Sequence, residues 1–302
     1  MIKILVTDGM DKGAVQTLKD MGNDVTEQFF NPEDLKEKVQ KYNVLIVRSA
    51  TKVREEIIDS ALKTGNLKLV IRGGVGVDNI DVAYAESKGI KVRNTPRASS
   101  QSVAELVLAH MFSLARFVGI ANVSMRKGKW NKKQYKGIEL SGKTLGIVGF
   151  GRIGQILAEK ANALGMKTIY TDILGPNKKC PASDFVSLDQ LLVESDFISL
   201  HVPGNKDKSA LIDKHKLARM KNSVFLINCA RGGVVDEKDL LEALNSGEIA
   251  GVGMDVYCEE PKCNLELIQH ERVSATPHIG ASTKEAQKRI GQEIISIIKE
   301  NF

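Results

Sequence analysis

A chain of 302 residues, 42% hydrophobic, with 43 basic and 37 acidic side chains and a net charge of +6, has the composition of a globular protein with room for two cores. No apolar run reaches the roughly twenty residues of a membrane-spanning helix, and Cys180, Cys229, Cys258 and Cys263 have neither disulfide-framework nor paired zinc spacing. Reduced thiols, no metal, no membrane and a cytoplasmic address are therefore expected, with residues 1–9 read as a strand rather than a signal peptide.

Short apolar runs alternate with amphipathic stretches: residues 2–7, 44–47, 68–71, 145–148, 168–170, 197–200 and 224–227 read as strands. This is the βαβ rhythm of parallel sheets, so the expected fold class is α/β, with two Rossmann-like or flavodoxin-like parallel-sheet domains and a cleft between them. The first unit covers the residues before about 94 and has no glycine fingerprint; the second begins near Thr95. A long helical pattern over residues 102–127, with Val103, Val107, His110 and Leu114 on one face, joins the two.

Ligands of open parallel sheets bind beyond the carboxyl ends of the strands, so residues just after the strands matter most. In the first unit these are Arg48 and the loop Arg72-Gly73-Gly74-Val75-Gly76, whose glycines suit backbone amides converging on an anion such as a carboxylate. Two arginines beside that loop suit a phosphorylated acid, although solvated arginines give the same pattern. The basic run at residues 126–136 suits a solvated face or an anionic small molecule. No zinc-finger spacing or aromatic RNA motif accompanies it, so nucleic acid is not an expected partner.

The most informative segment is Gly149-Phe150-Gly151-Arg152-Ile153-Gly154, which follows the run at 144–148 and precedes a helical pattern at 156–164. In that context Gly149 permits a tight turn, Gly151 lets backbone approach a pyrophosphate, and Gly154 allows close helix–strand packing. The same glycines also suit a turn that only packs a helix on a strand. Asp172, about twenty residues on, is placed to accept both ribose hydroxyls and repel a 2′-phosphate, which favours NAD over NADP. His201 comes just after the next strand, 197–200.

Arg231, in Asn228-Cys229-Ala230-Arg231-Gly232-Gly233, follows the last of these strands with glycines leaving room beside it. A planar guanidinium there fits the carboxylate of a 2-hydroxy or 2-oxo acid; a surface arginine pairing with Asp236 is the alternative. Glu260, in Asp255-Val256-Tyr257-Cys258-Glu259-Glu260-Pro261, and His278, in Thr276-Pro277-His278-Ile279-Gly280, each follow a short apolar strand pattern. They read as an acid/base pair, because oxidation of a secondary alcohol needs a group that accepts the hydroxyl proton.

These residues resemble the D-isomer-specific 2-hydroxyacid dehydrogenases, most closely the D-3-phosphoglycerate dehydrogenase branch. The likeness covers nearly the whole chain. It includes Leu45-Ile46-Val47-Arg48-Ser49-Ala50-Thr51, Gly76-Val77-Asp78-Asn79-Ile80-Asp81, residues 137–154 and 228–237, and Pro277-His278-Ile279-Gly280-Ala281-Ser282-Thr283. The resemblance implies that Arg231, Glu260 and His278 are catalytic. It also implies NAD contacts at Gly149, Gly151, Arg152, Ile153, Gly154, Asp172, His201, Val202, Pro203, Cys229, Ala230, Asp255, Gly280 and Ala281. Substrate contacts would fall on Arg48, Arg72, Gly74, Val75, Gly76, Arg231 and His278.

The resemblance further implies that the last helix, about residues 282–299, returns to the first domain. Residues 1–94 with 282–302 would then form the substrate-binding domain and 95–281 the NAD-binding domain. A homodimer is implied, with the 102–127 helix at the interface and Lys132 or Lys133 touching a neighbouring subunit's phosphate. Two departures stand out: Ser209 replaces a common threonine, and the chain stops at Phe302, where longer phosphoglycerate dehydrogenases carry a regulatory domain. Serine feedback through such a domain is not expected.

The implied activity is NAD-dependent oxidation of 3-phospho-D-glycerate, a small anionic substrate, to 3-phosphohydroxypyruvate, the first step of serine biosynthesis. A glyoxylate or hydroxypyruvate reductase is the alternative on the same scaffold. An NAD-sensing, corepressor-like binding protein is the alternative from a different class. Formate oxidation fits less well, because formate has no distal phosphate for Arg48 or Arg72.

Overall fold

The computed structural model describes residues 1–302 except 178–181 and 205–208, so Cys180 and part of the 201–209 segment lie outside the described residues. The chain divides into two compact units, Met1–Ser99 with Ala281–Phe302, and Ser100–Gly280.

The first unit is built on β1 (Lys3–Val6), β2 (Asp24–Glu27), β3 (Val44–Val47), β4 (Leu69–Arg72) and β5 (Lys91–Asn94), all parallel in the order β2-β1-β3-β4-β5. Four helices connect them: α1 (Lys12–Asp20), α2 (Pro32–Lys38), α3 (Glu55–Leu62) and α4 (Val82–Ser87). Every residue of β3 is buried, as a central parallel strand covered on both faces requires. One face packs Leu5, Leu45, Val47 and Val70 against Ile57 and Ile58 of α3.

The second unit opens with α5 (Ser100–Arg116) and α6 (Val118–Arg126). The single helix expected over 102–127 is instead two helices bent by 65°, because Phe117 takes a left-handed conformation at φ 56°. Among the described residues no single helix is long and apolar enough to cross a membrane, and α5 packs Val103, Val107 and Met111 into the sheet's core.

That sheet comprises β6 (Thr144–Val148), β7 (Lys167–Thr171), β8 (Ser183–Phe185), β9 (Phe197–Leu200), β10 (Phe225–Asn228), β11 (Gly251–Met254) and β12 (Val273–Ala275). All pairs are parallel, in the order β12-β11-β10-β9-β6-β7-β8. Its helices are α7 (Arg152–Ala163), α8 (Leu188–Glu194), α9 (Lys214–Leu217), α10 (Glu237–Ser246) and α11 (Leu265–Gln269). The two parallel-sheet domains agree with the expected fold class.

The last helix, α12 (Lys284–Asn301), belongs to the first unit, where Ile290, Ile294 and Ile297 cover the sheet face formed by Ile4, Val6, Ile46 and Ile71. Thr283 caps it by accepting the Ala286 amide. The first unit continues past residue 94 to Ser99 because Ala98 is buried in that same core and its carbonyl accepts Arg289 Nε at 2.8 Å.

Both sheets reverse winding direction between two neighbouring strands, and a crevice opens at such a point. In the first unit the reversal falls between β1 and β3, in the second between β6 and β9.

Candidate functional site

The second unit's reversal point carries the glycine turn. Gly149 follows β6 at φ 92°, and a Cβ there would approach the His201 carbonyl oxygen, at the end of β9, to 2.5 Å. Only glycine lets the two strand ends come this close. A Cβ at Gly154 would sit 2.6 Å from Gly149 O, so α7 packs directly on the turn. A Cβ at Gly151 would meet nothing, and Gly151 caps α7 with no side-chain hydrogen bond. The first turn of α7 therefore presents amides and positive dipole to open space, a cradle that fits a pyrophosphate.

Asp172 follows β7 and is tied to that turn: its Oδ2 accepts the Phe150 amide at 2.6 Å and its Oδ1 the Leu174 amide at 2.9 Å. Each oxygen keeps a second lone pair for a diol. Arg152 is exposed and Ile153 half-buried on the first turn of α7, while Val202 and Pro203 continue from His201. Cys229 and Ala230, just after β10, are buried, and burial pushes the Cys229 thiol well above its ordinary range. The His201 ring bonds Ser199 Oγ through Nε2 at 2.9 Å, and burial pulls its pKa down to about 4. Its Nδ1 is buried without a hydrogen-bond partner among the described residues.

Arg231, Glu260 and His278 all lie in the second unit. Glu260 Oε2 stands 2.7 Å from His278 Nδ1, and Glu260 Oε1 accepts the Tyr257 amide at 3.1 Å. Burial raises the Glu260 pKa, but the His278 hydrogen bond and charge, the Tyr257 amide and the Arg231 charge together outweigh it. The net shift is downward, so Glu260 is ionised at neutral pH; a carboxylate only accepts, so His278 presents its N–H at Nδ1 and keeps Nε2 for another partner.

Arg231 is held in a bend by Asn228, whose Nδ2 donates to Arg231 O at 2.9 Å and whose Oδ1 accepts the Ala230 amide at 3.1 Å. A side chain on Gly232 would collide with the Tyr257 carbonyl, so the arginine and glutamate loops touch backbone to backbone. A half-buried guanidinium, a carboxylate and an imidazole with one open nitrogen can bind an anion and exchange a proton beside it.

In the first unit, Arg48 follows β3 at the reversal point, its amide donating to Asp8 Oδ2 at 2.7 Å. It lines a groove of about 590 Å³ with Asp11, Ser282, Thr283, Lys284, Gln287 and Lys288. Arg72 ends β4 rather than following it, and its guanidinium fills the space a side chain at Gly74 would need. The expected nest of loop amides is smaller than the glycines imply. The Gly73 and Gly74 amides donate to Val47 O and Arg72 O, leaving Val75 and Gly76 to present theirs. Ala281 falls in the first unit, where its carbonyl accepts Gln287 Nε2 at 2.7 Å, whereas Gly280 ends the second. Lys132 and Lys133 are exposed in a short 3-10 turn.

Sequence reasoning missed Asn79 as a site residue, and it named Asp255 only as an NAD contact and not for the turn it holds. Asn79 clamps the Arg48 loop by donating to Arg48 O and Thr51 O, each at 2.7 Å. Asp255 accepts the Ile279 and Gly280 amides at 2.8 Å each, fixing the turn after His278. Asp255 closes an apolar run, a weak signal for that role, whereas Asn79 lies among the polar neighbours Asp78 and Asp81. Cys229, Cys258 and Cys263 are free thiols.

Residues 108–280 match the family model described as D-isomer specific 2-hydroxyacid dehydrogenase, NAD binding domain. Over 99% of its length the chain is 46% identical to a hydroxypyruvate reductase of Thermotoga maritima, spanning 98% of that protein. It is 44% identical, again over 99% of its length, to a D-3-phosphoglycerate dehydrogenase of Methanocaldococcus jannaschii, spanning only 57% of that relative. Among solved structures it resembles a D-lactate dehydrogenase from Aquifex aeolicus complexed with NAD and lactic acid, at a TM-score of 0.86 and 30% identity, covering 98% of this chain and 94% of that one.

Proposed function

The chain belongs to the D-isomer specific 2-hydroxyacid dehydrogenases, NAD-dependent oxidoreductases, and from that premise we propose that it oxidises 3-phospho-D-glycerate to 3-phosphohydroxypyruvate. The observation that carries the phosphorylated substrate is the groove at the first unit's reversal point, where Arg48, Lys284 and Lys288 outnumber the single carboxylate of Asp11. A phosphate suits such a surface better than the bare hydroxymethyl end of glycerate does.

NAD, when bound, supplies the hydride acceptor; the glycine turn, the first turn of α7 and Asp172 are the residues that would hold it. Arg231 binds the substrate carboxylate and orients the carbon bearing the hydroxyl. His278 Nε2 accepts the hydroxyl proton, since Nδ1 is engaged by Glu260, and Glu260 stabilises the imidazolium that results. In the reverse direction the same imidazolium returns the proton to the forming alkoxide.

A second reading, reduction of hydroxypyruvate or glyoxylate, is favoured by the near-complete span of the Thermotoga maritima relative. A panel of initial rates separates the two. The proposal requires 3-phospho-D-glycerate to have the highest kcat/KM, with Arg48→Ala losing activity on it alone. Efficient turnover of hydroxypyruvate with indifference to the phosphorylated acid overturns it in favour of the reductase. NAD binding without turnover of any acid favours the sensing protein.

A homodimer is part of this proposal. Phe112, Val118, Val123, Met125 and Trp130 expose apolar surface along α5, α6 and the segment after them, and Trp130 is 78% exposed. Light scattering at the mass of one chain would refute it.

A further inference from the structure

His110 is a titratable side chain in the middle of α5, 2% exposed, and takes no part in the chemistry above. Room for it comes from β11: a Cβ at Gly253 would lie 2.8 Å from His110 Cβ. Both ring nitrogens are used, Nδ1 with Ser274 Oγ at 2.9 Å and Nε2 with Thr276 Oγ1 at 3.1 Å.

The protons in this chain follow from counting. Thr276 has one hydroxyl proton, and the shortest contact of its oxygen, 2.6 Å, is to Asp255 Oδ1. A carboxylate only accepts, so Thr276 donates to it and must accept from His110 Nε2. Ser274 then donates to Nδ1. Burial lowers the His110 pKa, with Asp255 opposing, which is consistent with a neutral ring carrying its proton on Nε2.

The chain ends on the turn that carries His278. Asp255 Oδ1 and Oδ2 hold the amides of Ile279 and Gly280, the two residues after His278. His278 itself takes the left-handed conformation at φ 52°, which costs a non-glycine residue about 1 kcal/mol and persists only where neighbours hold it. Thr276 also has a competing acceptor, Met254 O at 3.5 Å. Without a donor at position 110, Thr276 Oγ1 loses the one hydrogen bond it is seen to accept, and with it a restraint on the side chain that orients Asp255.

We propose that His110 is a positioning residue for His278, acting through Thr276 and Asp255 to fix the two amides that set the imidazole's orientation toward Glu260. The proposal rests on His278 being the proton-exchanging group.

The test compares His110→Leu, which keeps the volume and removes both hydrogen bonds, with His110→Gln, whose amide nitrogen restores a donor to Thr276. Two readouts are used on the full-length protein: hydrogen–deuterium exchange across residues 277–281, and kcat and KM for acid and NAD. In His110→Leu, exchange in that segment is expected to rise on the order of tenfold, and kcat to fall by a similar factor with both KM values within about threefold. His110→Gln is expected to recover most of both. Unchanged exchange and kcat in His110→Leu overturn the proposal. A loss of protection spread through β6 and β10 overturns it too, since that describes a loosened core. If His110→Leu does not fold, Thr276→Val removes the same link, and unchanged local exchange there is equally fatal. If His278→Ala retains full turnover, the reading of His278 fails instead, while the exchange pattern still decides whether His110 orders the turn.

Discussion

Replacing Glu260 by glutamine keeps the shape of the side chain and changes only what its two ends can do. In the native site Oε1 accepts the Tyr257 amide at 3.1 Å and Oε2 lies 2.7 Å from His278 Nδ1. An amide can satisfy Tyr257 only with its carbonyl oxygen, which turns its NH2 group toward Nδ1. Nδ1 must then accept, and the ring's proton moves to Nε2, the nitrogen that has to take the substrate proton. The opposite flip sets NH2 against the Tyr257 N–H and leaves two donors facing each other. Either way one charge-assisted hydrogen bond is lost, worth about 1.5–3 kcal/mol, and the imidazolium loses its counter-charge. The expected outcome for Glu260→Gln is a fall in kcat of about a hundredfold or more with KM changed by less than about threefold. Glu260→Asp, which preserves the tautomer at longer reach, should lie between. Initial rates of NAD reduction measure this directly, and a kcat for Glu260→Gln within threefold of the parent refutes the tautomer argument.

Arg231→Ala should cost at least about a hundredfold in kcat/KM, because the substrate carboxylate loses a guanidinium partner, and Arg231→Lys should recover only part of it. Asp172→Ala should raise the KM for NAD about tenfold and narrow the preference over NADP, read from parallel saturation curves with both cofactors. Stability should fall in mild acid through His201. Its folded pKa of about 4 lies below the ordinary 6.5, so the unfolded chain binds more protons between those values. Stability is therefore full above about pH 6.5 and drops by about 2 kcal/mol by pH 5 from this residue alone. Urea denaturation at both pH values, with His201→Leu as a comparison whose pH dependence is flatter, checks the sign.

The central strands were legible because burial on both faces leaves no choice but apolar residues: β3 reads Val-Leu-Ile-Val and β9 Phe-Ile-Ser-Leu. The strands that escaped, β2, β5 and β8, all lie at sheet edges, where sequences such as Asp-Val-Thr-Glu and Lys-Val-Arg-Asn are half solvated and look like loops. The helix break at Phe117 was invisible because nothing in an apolar residue announces a left-handed backbone. At the site, Gly149, Gly154, Asp172, Glu260 and His278 were readable from spacing, since each does one job that few residue types can do. His110 was not. On a helix wheel it shares the apolar face of Val107 and Leu114, and only the tertiary placement of Ser274 and Thr276 distinguishes it from a core residue.

The most direct test of the whole account is the rate of nicotinamide reduction by His278→Gln across 2-hydroxy acids, measured alongside its affinity for NAD. The account requires turnover to fall by at least about a hundredfold for every acid while NAD binds as in the parent protein. A variant that binds NAD normally and still turns over within tenfold of the parent would contradict it.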